Sequence, residues 1–428
     1  MLAEDTKSVI HNTMPFALFH SARQRLSRLF GPSTLITAAF IGPGTVTVCT
    51  LAGVNSGYTL LWALLFSMLA TVVLQEMSAR LGLITGRGFA EAMREQISHP
   101  LLRVMSMALV LAAIVIGNAA YEGGNIAGAA LGLEELLFAA TVDLGQMRIS
   151  LAPLVIAAAA WLILASQSQR LIQRFLLALV AVMSLGFIST ALLARPDWSE
   201  ILKGLLLPRA SAGELLTVVA LIGTTVVPYN LFLHAALVRQ KYQHRHQLAE
   251  LRLETVTAVV TGGVISISIV ITSAATLYGA SNIASAADMA RQLQPLLGAW
   301  ANLFLGTGLF AAGISSAITA PLAAAYATRG IMGWDDDLHS PRMRRVWQAI
   351  LLIGTLAASF GFSPVLIIQF TNGILLPVVA AYLLMLMNRR ALLGDLVNSR
   401  WQNLLGVMIV LVTVLIGWRS LNAVFGFF

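Results

Sequence analysis

The sequence predicts an all-α polytopic membrane protein of about eleven transmembrane helices, built as two five-helix repeats of opposite orientation plus one further helix. Three observations carry this. The 428 residues are 58% hydrophobic and only 11% charged, whereas a soluble domain is about a quarter charged. Apolar runs long enough to cross a bilayer recur along nearly the whole chain, separated by short polar loops. Two of these runs, the first and the sixth, are interrupted near their centres by proline, with glycine or polar residues beside it.

In chain order, residues 1–32 are polar and basic (Lys7, Arg23, Arg25, Arg28) and lack the short apolar core and small-residue cleavage site of a signal peptide. Their part from Phe16 to Phe30 has amphipathic spacing suited to a membrane surface. Spans are expected at roughly 33–57, 59–83, 104–131, 150–167, 175–194, 215–238, 256–279, 297–328, 346–361, 364–388 and 403–427. The first repeat then covers 33–194, the inverted second repeat 215–388, and the eleventh helix 403–428. Of the 27 Lys and Arg, only Arg148, Arg195, Lys203, Arg209, Arg291 and Arg419 fall on one side; the rest lie on the side of the N-terminus. The positive-inside rule therefore puts a multi-pass protein in the cell membrane, N-terminus cytoplasmic and C-terminus extracytoplasmic. The net charge of +8 is thus explained by topology and by contact with anionic membrane lipid, and needs no nucleic acid. A monomer is expected. The single cysteine, Cys49, lies inside the first span and excludes an intramolecular disulfide.

The first break reads Ile41-Gly42-Pro43-Gly44-Thr45-Val46-Thr47, and the second Gly223-Thr224-Thr225-Val226-Val227-Pro228-Tyr229-Asn230. Backbone groups freed in hydrocarbon must be satisfied by protein or by a polar cavity. Spans one and six run in opposite senses, so matched breaks in them point to a site at mid-membrane depth between two inverted repeats. Gly42, Gly44, Thr45, Val227, Tyr229 and Asn230 are the candidate binding residues; the alternative role for their polar groups is to cap the exposed helix ends. Glu122 is a carboxylate deep in span three without an evident basic partner, which makes it the first candidate for moving a proton. Glu76 and Arg80, one helical turn apart, should form a structural ion pair. Asp335-Asp336-Asp337 reads as a solvated turn. There is no phosphate-binding loop and no Cys/His cluster, so neither an enzyme nor a cofactor is expected, and any transport must draw on a gradient.

Around the breaks the chain resembles the natural-resistance-associated macrophage protein (NRAMP) family, proton-coupled importers of manganese and iron. Ala38 to Thr45 aligns with the family's DPGN segment. Gln75-Glu76-Met77-Ser78-Ala79-Arg80-Leu81-Gly82-Leu83-Ile84-Thr85-Gly86 is very like its Q-x-x-[AS]-x-R-L-G-x-x-T-G motif, and Pro228 to His234 is similar to its MPHNLYLH stretch. The resemblance implies a leucine-transporter-type fold of ten core helices and an eleventh. It also implies that Gln369 in span ten joins the substrate site, and that His234 takes part in gating or proton movement.

The departures fall on that site. The family's Asp and Asn of DPGN are here Gly42 and Thr45, its Met is Val227, and its motif His is Tyr229. Its acidic pair in span three is matched by Asn118 and Tyr121, with Glu122 one place further on, which turns a helical side chain by about 100°. A largely dehydrated divalent ion needs anionic or dense oxygen ligands, and a soft Met suits manganese or iron. Three readings remain open: a divalent cation such as magnesium or manganese carried with its water, a small anionic or polar organic solute, or a membrane receptor that transports nothing. The identity of any bound metal is not legible.

Overall fold

The computed structural model describes residues 36–39, 41–137, 141–144, 147–280, 298, 300–334, 340–361 and 365–425. The side chains at 141–144, 147–149, 169, 212, 365–374, 416, 420–421 and 423–425 lie outside that description. The basic N-terminal segment and the three consecutive aspartates therefore lie outside the described residues.

A helical turn at 36–39 precedes α1 (Pro43–Ser56), which is followed by α2 (Leu61–Thr85), the short α3 (Phe89–Gln96) and the long α4 (Pro100–Leu136). A hairpin of β1 (Thr141–Leu144) and β2 (Met147–Ser150) leads to α5 (Ala152–Ala165), α6 (Gln169–Leu193) and α7 (Trp198–Leu206). Span six is α8 (Leu215–Thr225) and α9 (Pro228–Lys241), with Val226 and Val227 unwound between them. Then come α10 (Leu248–Leu277), α11 (Trp300–Met332), α12 (Pro341–Ser359), α13 (Val365–Leu386), the short α14 (Arg390–Leu393) and α15 (Arg400–Phe425). A helix stands at each of the eleven expected spans. The hairpin is an addition to the all-α expectation: its Thr, Val and Ile are β-formers, and Val142 pairs with Ile149 in a segment too polar to join a span.

Two helices differ in length from the expectation for a visible reason. α4 begins at Pro100, whose missing N–H costs nothing at a first helical position, and His99 accepts a bond from Leu102 N. Its 37 residues extend about 55 Å, beyond a ~30 Å hydrocarbon layer. α12 likewise starts early, at Pro341, with Ser340 as its cap.

α11 is the central post, buried almost throughout. It meets α4 through small residues: a Cβ at Gly313 would stand 2.5 Å from the Cβ of Ala129, and Gly132 lies against the backbone of Phe310. Such close backbone approach replaces the hydrophobic drive that lipid does not supply. α1 meets α10 in the same way, Gly53 against Val270 O.

Polar side chains gather at the two ends of the bundle. At one end, Arg80 donates to Leu396 O, Asn398 Oδ1 and Glu76, and Glu76 also pairs with Arg252 at 2.8 Å. Lys241 and Tyr242 both donate to Glu254, and burial, then that bond, push the Tyr242 phenol above its usual range. This end collects the segments expected on the cytoplasmic side. At the other end, Trp62 Nε1 donates to Arg209 O, Gly279 N to Val54 O, and Gly204 packs on Tyr58 O. The expected Glu76–Arg80 pair is present at 3.1 Å.

Candidate functional site

The break in span one is built by its neighbours. Gly42 is extended (φ −98°, ψ 173°), and its carbonyl accepts the first helical bond, from Val46 N. The carbonyls orphaned at the end of the 36–39 turn find side chains: Ser315 Oγ donates to Ala38 O at 3.2 Å, and Tyr229 OH reaches Ala39 O at 3.5 Å. α11 and α9 thus supply what the broken helix lacks, as a polar backbone in hydrocarbon requires. Pro43 packs into the surface left by Gly128 of α4.

One face of α1 is open. Gly44, Thr47 and Asn55 are exposed and Leu51 half-buried, while Pro43, Thr45, Val46, Cys49 and Thr50 are buried. With Val48, half-buried like Leu51, the five accessible positions share a face about 100° wide at 100° per residue. A Cβ at Gly44 would meet nothing within 4 Å. An accessible stripe therefore runs from the break along α1 to the loop at Gly57. The other side of the break is closed, for α9 is buried from Pro228 to Val238.

The groups beside Gly42 are neutral oxygens. A Cβ there would stand 3.1 Å from Ser316 Oγ and 3.7 Å from Asn125 Oδ1. Ser316 Oγ is buried and has no hydrogen-bond partner among the described residues. Among the described residues, neither amide atom of Asn230, 1% exposed, finds a partner, and the same holds for Asn118 on α4. Thr45 is buried one turn inside α1, and Val227 adds only an apolar side chain at the α9 cap. Tyr229 also meets Tyr121 edge to face, ring centres 5.9 Å apart. Gln369 lies in α13, with its side chain outside the described residues. Among the described residues, no three His, Cys, Asp or Glu side chains stand close enough to hold a metal ion.

Glu122 does not reach the break directly. It is fully buried against Gly354 of α12, and its Oε2 accepts from Asn125 Nδ2 at 3.4 Å while Oε1 has no partner among the described residues. Asn125 stands between this carboxyl and Gly42, and makes the link that the sequence reading of Glu122 lacked. Its signal was present: a second polar residue three positions on, on the same face of an apolar helix. Asn118 is four positions back on that face.

The long motif of α2 proves to be a docking face for α9. Gln75, Ser78 and Gly82 repeat at three and four residues along one side. Gln75 Oε1 lies 2.8 Å from His234 Nδ1, Ser78 Oγ donates to Leu231 O, and Gly82 lies against the backbone of Ala235. His234 is therefore a buried, bonded histidine on the α2 side of α9.

With this geometry, the sequence pattern of the family described as natural resistance-associated macrophage protein-like matches residues 33–422. The chain belongs to that family. A divalent metal cation transporter of Yersinia pestis is 28% identical over 90% of this chain and 92% of its own length. A manganese transporter of Eremococcus coleocola, solved as its H236A mutant, superposes with a TM-score of 0.77 at 20% identity, over 92% of this chain and 86% of that one. MhsT in complex with L-phenylalanine gives 0.62 at 14% identity, over 92% of this chain and 98% of its own. This NRAMP-family chain thus has the leucine-transporter type of fold.

Proposed function

We propose that this NRAMP-family protein is a secondary transporter that carries a divalent cation with much of its hydration shell in place. The observation that carries the proposal is the chemistry at Gly42: hydroxyl and amide oxygens of Ser316 and Asn125 stand beside it, where a bare divalent ion would need a carboxylate. Neutral oxygens suit the water around an ion better than the ion itself, and magnesium holds that water most firmly. The named activity of the Yersinia relative supports the cation, and the accessible stripe on α1 supplies a way in. The two repeats, 33–194 and 215–388, enclose the site; the chain acts as a monomer in the cell membrane, its basic end cytoplasmic. Glu122, through Asn125, is the group that would couple a proton to the site.

Proteoliposome uptake of magnesium and manganese, with calorimetric binding beside it, tests this. Saturable uptake of either ion is expected. If neither ion moves and neither binds, the proposal is lost. A second reading, an anionic or polar solute, is favoured by one observation. α1 and α9 both begin with Pro and have no side-chain cap, which leaves two positive helix ends at the breaks. Thermal stabilisation across a panel of small carboxylates separates the two.

A further inference from the structure

Where α4 and α11 part at the basic end of the bundle, they leave a groove of about 310 Å³. Val104, Ala108 and Leu111 of α4 face Ile331 and Met332 of α11 across it, and Arg94 of α3 and Arg103 of α4 stand at its mouth. We propose that this groove binds an anionic phospholipid, with the phosphate between the two guanidinium groups and an acyl chain between the helices.

Charge is the first argument. Neither Arg94 nor Arg103 has an ion-pair partner among the described residues, although their neighbours Arg87, Arg239 and Arg329 all do. Glu91 and Glu95 border Arg94 on its other side but are engaged by Arg239, Arg329 and Arg87, so two cations without an ion pair among the described residues meet at one mouth and suit an anion. The Arg94 guanidinium is packed against Gly333, whose positive φ of 70° leaves the space it occupies. It is therefore placed before any ligand arrives.

Position is the second. Arg103 is the last charged residue on α4 before Glu122. Just beyond it Val104 and Met105 are 64% and 59% exposed, apolar side chains turned to the bilayer. The mouth of the groove thus sits where headgroups lie and its floor where hydrocarbon begins. From Arg103 to Leu111 the helix rises about 12 Å, a length that takes the first half of an acyl chain. A soluble phosphate would use the mouth and leave the apolar floor empty; a phospholipid uses both.

The site adjoins a tie across the basic end. Glu91, one turn before Arg94 on α3, pairs with Arg239 of α9 at 3.3 Å and with Arg329 of α11 at 3.0 Å. Arg94 lies on the same face of α3 as Glu91, three residues on, so a lipid there would hold α3 beside that tie.

The full-length protein in detergent, titrated with phosphatidylglycerol, phosphatidylcholine and inorganic phosphate, tests the proposal by thermal unfolding and native mass spectrometry. Phosphatidylglycerol should raise the unfolding temperature and remain bound; the other two should do neither. Each basic group near an anionic headgroup contributes about fivefold to binding, so Arg94→Gln with Arg103→Gln should weaken phosphatidylglycerol by about 30-fold. Arg344→Gln with Arg345→Gln, exposed on α12, should leave it unchanged. Ala108→Trp fills the groove while both arginines remain, and should abolish retention even if the double variant fails to fold. Equal stabilisation by phosphatidylcholine, a full effect from inorganic phosphate, or unaltered retention by Ala108→Trp would overturn the proposal.

Discussion

Gly354 and Glu122 face each other with no room for another atom: a Cβ on the glycine would stand 2.6 Å from the Cβ of the glutamate. Gly354→Ala should therefore push α12 away from α4 and cost about 1–3 kcal/mol, the usual penalty for overfilling a packed interior. Thermal unfolding in detergent reads it, and an unchanged midpoint would contradict the contact. Glu122→Gln keeps the shape, so the midpoint should hold while pH-driven uptake disappears. Persistence of that coupling removes Glu122 from the mechanism.

The space beside Gly42 allows a direct test of what its substitution means. The one tight contact of a Cβ there is the end of the Ser316 side chain at 3.1 Å, and a hydroxyl can turn aside. Gly42→Asp should place a carboxylate at the break and raise manganese affinity by tenfold or more, measured by calorimetry. No gain would show that the surrounding oxygens are not arranged for a bare cation.

The contact of α2 with α9 should be sensitive to a single methyl group. A Cβ at Gly82 would stand 2.5 Å from Ala235 O, which is backbone and cannot turn aside. Gly82→Ala is expected to lower stability by at least 1–3 kcal/mol. Gln75→Leu acts differently, leaving the buried His234 Nδ1 without its acceptor at a cost of about 1–3 kcal/mol. A unique cysteine at Ala236, in a Cys49→Ala background, reports on the same region. Buried now, it should become reactive to thiol reagents when Glu91→Gln weakens the ties to Arg239 and Arg329. Equal labelling in both backgrounds would mean that those ion pairs do not close the basic end.

Spans and breaks were legible because hydrocarbon imposes simple rules: enough apolar residues to cross, and no unsatisfied backbone on the way. The Glu76–Arg80 pair was legible because it is local, one turn apart. What escaped depends on contacts between distant segments. Asn125 gained meaning only once Gly42 stood beside it, and Gly354 only as the surface against Glu122. The α2 motif was readable as a pattern but not as a docking face, since its partners Leu231, His234 and Ala235 lie some 150 residues away. Ser315 serves the backbone of the first break at Ala38, 277 residues away, a service no local pattern announces.

The grip of α2 on α9 has a mechanical consequence. Two helices joined backbone to backbone at Gly82, and by hydrogen bonds at Ser78 and Gln75, can move only as one lever. α8 packs against α2 too but shares none of those three contacts, and the slack between it and α9 is the two residues Val226 and Val227, whose ψ angles of 82° and 117° lie off the helix. Any alternation of the site between the two sides of the membrane must swing about that pivot. A proline at Val226 would stiffen it, at the loss of the bond from Val226 N to Ile222 O, and should slow turnover while leaving substrate affinity intact.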